Sequence, residues 1–212
     1  KRNAEKDLED SENSPMDPPD AYDLSSTVTG VNYEDMSPML KTFVDEHKEL
    51  VLVVDEFEKA LMNFHERKYF ITKEINDSFN KFFVYFDEHI TPHNRKEERH
   101  LFPVLHKKLI EAGEHGIGDN PTTAVDLMED DHIKFIQLAS LVFNLLGLAM
   151  RLPDQQSRAM TFDLAYHNGK ELVELLKLHV FREDHTLFPL AQKLLLPEEL
   201  IGILQEMDIE HA

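Results

Sequence analysis

The chain is 212 residues long, carries a formal net charge of −19 and contains no cysteine. That charge argues against nucleic acid and anionic membrane surfaces as partners, since both are polyanions. Without cysteine there are no disulfides, no iron–sulfur ligation and no thiol catalysis, so any metal must be held by nitrogen and oxygen ligands, which 12 histidines and 41 acidic residues can supply.

No apolar run near 18 residues stands out and no basic-then-apolar leader opens the sequence, which sets the expectation of a cytoplasmic protein with no membrane span. The chain begins at Lys1, which fits a processed, tag-cleaved or excised segment. Residues 1–35 are acidic, contain Pro15, Pro18 and Pro19 and lack an apolar period, so they read as a flexible acidic tail or linker, with a docking arm for a protein partner as the alternative. Ser37-Pro38 then reads as an N-cap followed by proline at the first helical position.

Four long helices follow, each with an apolar stripe at spacings of three and four. The first carries Leu40, Phe43/Val44, His47, Leu50/Val51, Val54, Phe57 and Leu61. After a break near Arg67 to Thr72, the second carries Phe79, Phe82/Phe83, Phe86, Ile90, His93, Glu97, Leu101 and Val104. A Gly- and Pro-bearing stretch from Gly113 to Pro121 divides the chain. The third helix carries Val125, Met128, His132, Phe135/Ile136, Ala139, Val142/Phe143 and Leu146. Beyond Arg151 to Asp154, the fourth carries Leu172, Leu175/Leu176, His179, Glu183, Leu187 and Leu190. Pro197 opens a short C-terminal helix packed outside the others. No strand pattern competes, so the expected fold is all-α: an up-down-up-down four-helix bundle over residues 36–212, built from pseudo-repeats at about 37–112 and 121–195.

The repeat is visible in the residues. His93-Asn94-Arg95-Lys96-Glu97-Glu98-Arg99-His100-Leu101-Phe102-Pro103 recurs 86 residues later as His179-Val180-Phe181-Arg182-Glu183-Asp184-His185-Thr186-Leu187-Phe188-Pro189. Asp45-Glu46-His47 is echoed 85 residues later by Asp130-Asp131-His132. Residues i and i+4 share a helix face, so each His-x-x-x-Glu aims a nitrogen and a carboxylate at one small volume. At 1.5 Å per residue the first helix runs about 28 Å from His47 to its turn and the second about 30 Å back to His93, so the two histidines return to one level. His47, His93, Glu97, His132, His179 and Glu183 all lie on the apolar stripes, where an unpartnered polar group costs about 1–3 kcal/mol or more. A common partner is therefore expected. Two carboxylates can each bridge two cations and leave two histidines per ion, with open positions for a small ligand. Imidazole with carboxylate suits iron, with manganese or zinc as other candidates.

With both Glu-acid-x-x-Leu-Phe-Pro endings, this order of ligands resembles the hemerythrin-like (HHE cation-binding) family over about residues 36–210. Its spacing is most similar to the bacterial proteins implicated in repairing iron centres after nitrosative or oxidative damage. The resemblance implies that His47, His93, His132 and His179 are terminal ligands and that Glu97 and Glu183 bridge two iron ions, with an oxo or hydroxo bridge completing the centre. Dioxygen, nitric oxide or peroxide would be the small partner. The other function kept open is an iron- or oxygen-sensing interaction domain of a larger polypeptide. The iron-repair members often carry a cysteine-containing N-terminal segment, which this chain lacks.

Some positions depart from the repeat. Pro92, inside the second helix, implies either a new segment capped by Thr91 or a kink that helps aim His93. His89, one turn earlier, stands as a fifth or substitute histidine. Glu46, Glu98, Asp131 and Asp184 either face outward or hydrogen-bond the ligand imidazoles. Phe86, Phe102 and Phe188 are candidates to wall a small-ligand pocket, and His65, His100, His106, His115, His167, His185 and His211 read as surface or capping residues.

Overall fold

The structure is a computed structural model and describes residues 31–117 and 120–210. The expected tail lies outside the described residues as far as residue 30. Residues 31–35, placed in that tail by sequence, instead belong to the folded body. Tyr33–Asp35 form one 3₁₀ turn, and Val31 and Tyr33 pack partly against the core. The Tyr33 hydroxyl donates to Asp45 at 2.8 Å, and Lys48 Nζ lies 3.9 Å from the centre of its ring.

The described residues are all helical, without a strand. Helix α1 spans Pro38–Glu66, with the Ser37 hydroxyl accepting from the Leu40 amide as the N-cap. It ends where Lys68 and Tyr69 take left-handed φ values of 51° and 66°. Helix α2 spans Lys73–Tyr85, capped by Thr72, and continues through α3 (Thr91–Lys96) into α4 (Phe102–Ala112). Gly113, at φ 81°, terminates α4 in the left-handed conformation glycine adopts without a Cβ clash. Thr123 and Asp126 form a capping box at the start of α5 (Ala124–Ala149), and Asp154 caps α6 (Gln155–Arg182). Short α7 (Phe188–Leu194) and α8 (Pro197–Glu210) complete the chain.

Pairings along the helices run antiparallel. Phe57 stacks on Phe82 at 3.9 Å and Phe64 meets Phe79 at 5.7 Å, joining α1 to α2. Phe64 also meets Phe162 on α6, while Glu58 accepts from Lys170 and Lys177 farther along. Helix α5 runs along α6 and reaches the second helical stretch through Phe83–Phe143 and His106–Thr123. At Gly169 the α6 backbone comes so close to α1 that an added Cβ would lie 2.9 Å from Leu61. Helix α8 buries Leu200, Ile203 and Met207 in the part of the core that holds Phe43, Leu105 and Met128.

Between these helical stretches lie three π turns: Phe86–Ile90, Glu97–Leu101 and Glu183–Leu187. Each closes with an amide reaching five residues back: Thr91 to Phe86, Phe102 to Glu97 and Phe188 to Glu183. Each is followed at once by a proline in the next turn: Pro92, Pro103 or Pro189. Proline has no N–H to give and its ring presses on the carbonyl four residues back. The wider turn carries that carbonyl aside and lets the helix continue. Pro92 thus neither caps a new helix nor breaks the old one; Thr91 stays helical, and its hydroxyl donates to the Phe86 carbonyl at 3.1 Å.

The apolar stripes hold with local corrections on α5. Phe135 and Val142 are buried, while their neighbours Ile136 and Phe143 are exposed along with Ile133, Leu141 and Leu148. Helix α5 is also long and apolar enough, by length and composition, to cross a membrane, which the sequence reading did not anticipate. Its inward face is committed elsewhere, carrying buried Asp131 and His132 between apolar residues.

Candidate metal centre

The core divides into two apolar clusters, one around Val54, Phe57 and Phe82 and the other around Phe43, Leu105 and Met128. Between them lies a layer of buried histidine and glutamate. His47 comes from α1, His93 from α3, His132 from α5 and His179 from α6, while Glu97 and Glu183 are each the first residue of a π turn. All six side chains are buried, with both glutamates at 0% exposure.

The six converge as two groups of four. His47, His93, Glu97 and Glu183 offer ligand atoms within 4.8 Å of one another, as do Glu97, His132, His179 and Glu183. The two glutamates belong to both. Glu183 Oε2 lies 3.2 Å from Nε2 of both His47 and His179. Glu97 lies 3.5 Å from Nε2 of both His93 and His132. Each carboxylate therefore spans one histidine from each half of the chain.

The four outer imidazole nitrogens face acids. His93 Nδ1 meets Glu46 at 2.6 Å, His132 Nδ1 meets Glu98 at 2.8 Å and His47 Nδ1 meets Asp184 at 2.8 Å. His179 Nδ1 is 3.5 Å from Asp131, which also accepts from Arg182 at 2.9 Å. With Nδ1–H directed outward, the Nε2 lone pair of each neutral ring points to the centre. The acid before the first histidine thus orients a ring in its own half, and the acid after the glutamate orients a ring in the other half. All four acids serve the imidazoles from behind and none joins the converging groups.

Aromatic rings pack against the histidines. Phe188 stacks on His47 at 5.5 Å and Phe102 on His132 at 5.7 Å, a pair related by the repeat. Phe43 meets His93 edge-on at 5.3 Å and Phe135 meets His179 edge-on at 4.9 Å. Phe102 and Phe188, expected as walls of a small-ligand pocket, are fully buried and stack on His132 and His47. Phe86 instead packs near Phe82, 6.2 Å between ring centres. Phe43 and Phe135 were missed as neighbours of the site, although their spacings of four and three from His47 and His132 carried the signal. His89 does not join the site: it is exposed and stacks on Tyr85 at 4.5 Å. His100 and His106 sit at contacts between elements, with Glu206 and Thr123 respectively.

A cation fits this donor set. Both oxygens of Glu97 and both of Glu183 are buried without a hydrogen bond. Four such acceptors, facing imidazole nitrogens also oriented as acceptors, leave a positive ion as the partner that satisfies them together. Without one, the charges settle unevenly. Burial opposes protonation of His47, yet Asp184 and Glu183 outweigh it and raise its pKa to about 9. Burial lowers His93 to about 4, despite the nearby Glu46. Burial, with the charge of Glu183 beside it, raises Glu97 well above the usual carboxylate range. Burial also works against ionised Glu183, but His179 and His47 hold its pKa well below that range.

A pH dependence follows. Below about pH 9 the metal-free site keeps the His47 proton, and the upward shift of Glu97 acts in the same sense. A cation must displace such protons, so its apparent affinity is expected to rise with pH and to flatten above about 9. Calorimetric titrations in buffers of different ionisation enthalpy would register proton release at pH 7; an affinity unchanged between pH 6 and 8 would contradict this charge arrangement.

Fold and site together define a class: an all-helical protein with a buried histidine–carboxylate set able to bind cations. Residues 38–191 match the hemerythrin HHE cation-binding domain, and the chain belongs to that family. It is also 30% identical over 112 residues to the "Iron-sulfur cluster repair protein YtfE" of Cronobacter sakazakii (strain ATCC BAA-894). That match covers 52% of this chain and 45% of the relative, so it spans about half of each. No solved structure matches significantly.

Proposed function

We propose that the chain is a non-haem di-iron protein whose helices form an up-down-up-down four-helix bundle, and that it binds or reacts with dioxygen, nitric oxide or peroxide, or handles iron under oxidative or nitrosative stress. The observation that carries this reading is the set of four buried, unbonded oxygens of Glu97 and Glu183, facing the Nε2 atoms of four histidines. His47 and His93 would hold one ion, and His132 and His179 the other, with both glutamates shared between them. A nitrogen-and-oxygen donor set of this kind suits iron. Similarity to the Cronobacter iron–sulfur cluster repair protein supports a role in iron chemistry.

When bound, the iron pair supplies redox chemistry and an open position for a small ligand. The chain supplies the rest. Glu46, Glu98 and Asp184 accept from the outer nitrogens of His93, His132 and His47, and Asp131 lies 3.5 Å behind His179, so that each Nε2 faces inward. Phe43, Phe102, Phe135 and Phe188 exclude water around the rings. The cytoplasm is the compartment this reading assigns.

The test is the metal content and optical spectrum of anaerobically purified protein, before and after air and nitric oxide. Two irons per chain, new near-ultraviolet and visible absorption in air, and a spectral response to nitric oxide are expected. His93→Ala and His179→Ala are each expected to lower the iron content to one per chain or less. An iron-reconstituted protein with no such absorption and no response to oxygen, peroxide or nitric oxide would sink the proposal.

A further inference from the structure

The two halves match in sequence but differ in how their histidines are screened. A cavity of about 180 Å³ borders His93 and is lined in part by Glu46, Glu49, Leu50, Glu88 and Lys96. It shares Tyr85, Glu88 and His89 with an open surface groove. One wall is the second helical stretch at Ile90 and Pro92, where the π turn Phe86–Ile90 interrupts the regular helix. The matching part of the second half has no such turn, because α6 runs unbroken from Gln155 to Arg182.

The residues at matched positions differ in the same sense. Leu50, itself buried, lines the cavity, whereas Phe135, its counterpart 85 residues on, sets its larger ring edge-on to His179 at 4.9 Å. Glu46 is 36% exposed behind His93, whereas its counterpart Asp131 is 2% exposed behind His179. The lining also has a sign. Glu46, Glu49 and Glu88 place three carboxylates around the cavity against one ammonium, Lys96. Such a passage favours a cation over an anion.

We propose that a divalent cation enters and leaves the His47/His93 side of the site through this cavity, while Phe135 closes the corresponding approach to His132/His179. The proposal rests on the two-ion reading above and makes those ions kinetically unequal: one exchanges and the other is locked in.

The experiment uses the full chain loaded anaerobically with ferrous iron, then challenged with excess ferrous chelator whose absorbance reports release. Two phases of one ion each are expected, with rates at least about tenfold apart. Leu50→Phe, which places in the first half the residue the second half already has, should slow the fast phase by about tenfold or more and leave the slow phase in place. Phe135→Leu should quicken the slow phase. If Leu50→Phe does not fold, as judged by circular dichroism, Glu49→Trp at the exposed mouth is read in the same way. Both ions leaving at one rate would overturn this proposal alone, as would a fast phase untouched by the plugging substitution in folded protein. Fewer than two ions bound per chain would overturn it together with the two-ion reading.

Discussion

Stripped of metal, Glu183→Gln protein is expected to unfold earlier than the parent, whereas Glu97→Gln protein is not. The two glutamates are equally buried and related by the repeat, so the asymmetry comes from their charge states. Burial opposes a charge on Glu183, but His179 and His47 outweigh it and keep the carboxylate ionised. An amide there leaves the protonated His47 imidazole facing a neutral group, at a cost of about 2 kcal/mol, which lowers the melting temperature by roughly 4–8 °C in a domain of this size. Glu97 is pushed by burial and by the charge of Glu183 towards its protonated form, so glutamine replaces it almost like for like. Ferrous iron should reverse the ranking. A cation bound only by folded protein adds about 4 kcal/mol per ion at 1,000 times its dissociation constant. The parent should gain all of that, and both variants should fall well short because each has lost a shared oxygen donor. Differential scanning calorimetry with and without iron reads both comparisons. Equal melting of the two metal-free variants would show that the site does not divide its charge in this way.

The second large effect lies behind the histidines. Asp131→Ala is expected to destabilise the protein by about 3–5 kcal/mol, because Asp131 is a buried carboxylate paired with Arg182 at 2.9 Å. Its counterpart Glu46→Ala is expected to cost only about 1 kcal/mol, since Glu46 is 36% exposed and water can replace much of what it provides. Both variants should weaken cation binding by about 10–100-fold, because each frees an imidazole to turn. Urea unfolding of metal-free protein separates the first effect from the second, and a metal titration measures the second. Equal unfolding costs for the two variants would mean that burial does not govern these pairs.

Much of the site was legible because helical geometry is regular and the chain states it twice. The i, i+4 spacing placed each histidine with its glutamate, and the repeat supplied the matching histidines His47 and His132. The supporting acids were legible as a pair of alternatives, and contact distances chose between them. What was not legible traces to specific local physics. Neighbouring apolar residues such as Phe135 and Ile136 lie about 100° apart on a helix, so a stripe three to four residues wide does not decide which one turns inward. The π turns were hidden for another reason: a regular period assumes that every amide reaches four residues back, and each of these turns adds one residue to that count. Their signal was present in the Leu-Phe-Pro endings, where proline sits at the same place after each glutamate. Pro92 carries the same signal with Ile-Thr before it. The fold boundary moved because Tyr33 finds partners in Asp45 and Lys48 that no local period encodes.

The acids that cross between halves have a consequence for what a half can be. Glu98 orients His132 and Asp184 orients His47, while each converging group borrows one glutamate from the opposite side. Neither copy of the repeat is self-sufficient: taken alone, it has two histidines and one glutamate, and one of its rings lacks the acid that aims it. A single copy could complete the set only by pairing with another copy of itself about a two-fold axis. Covalent fusion makes that partnership permanent and frees the two sides to diverge, which is how one side could keep Leu50 while the other acquired Phe135.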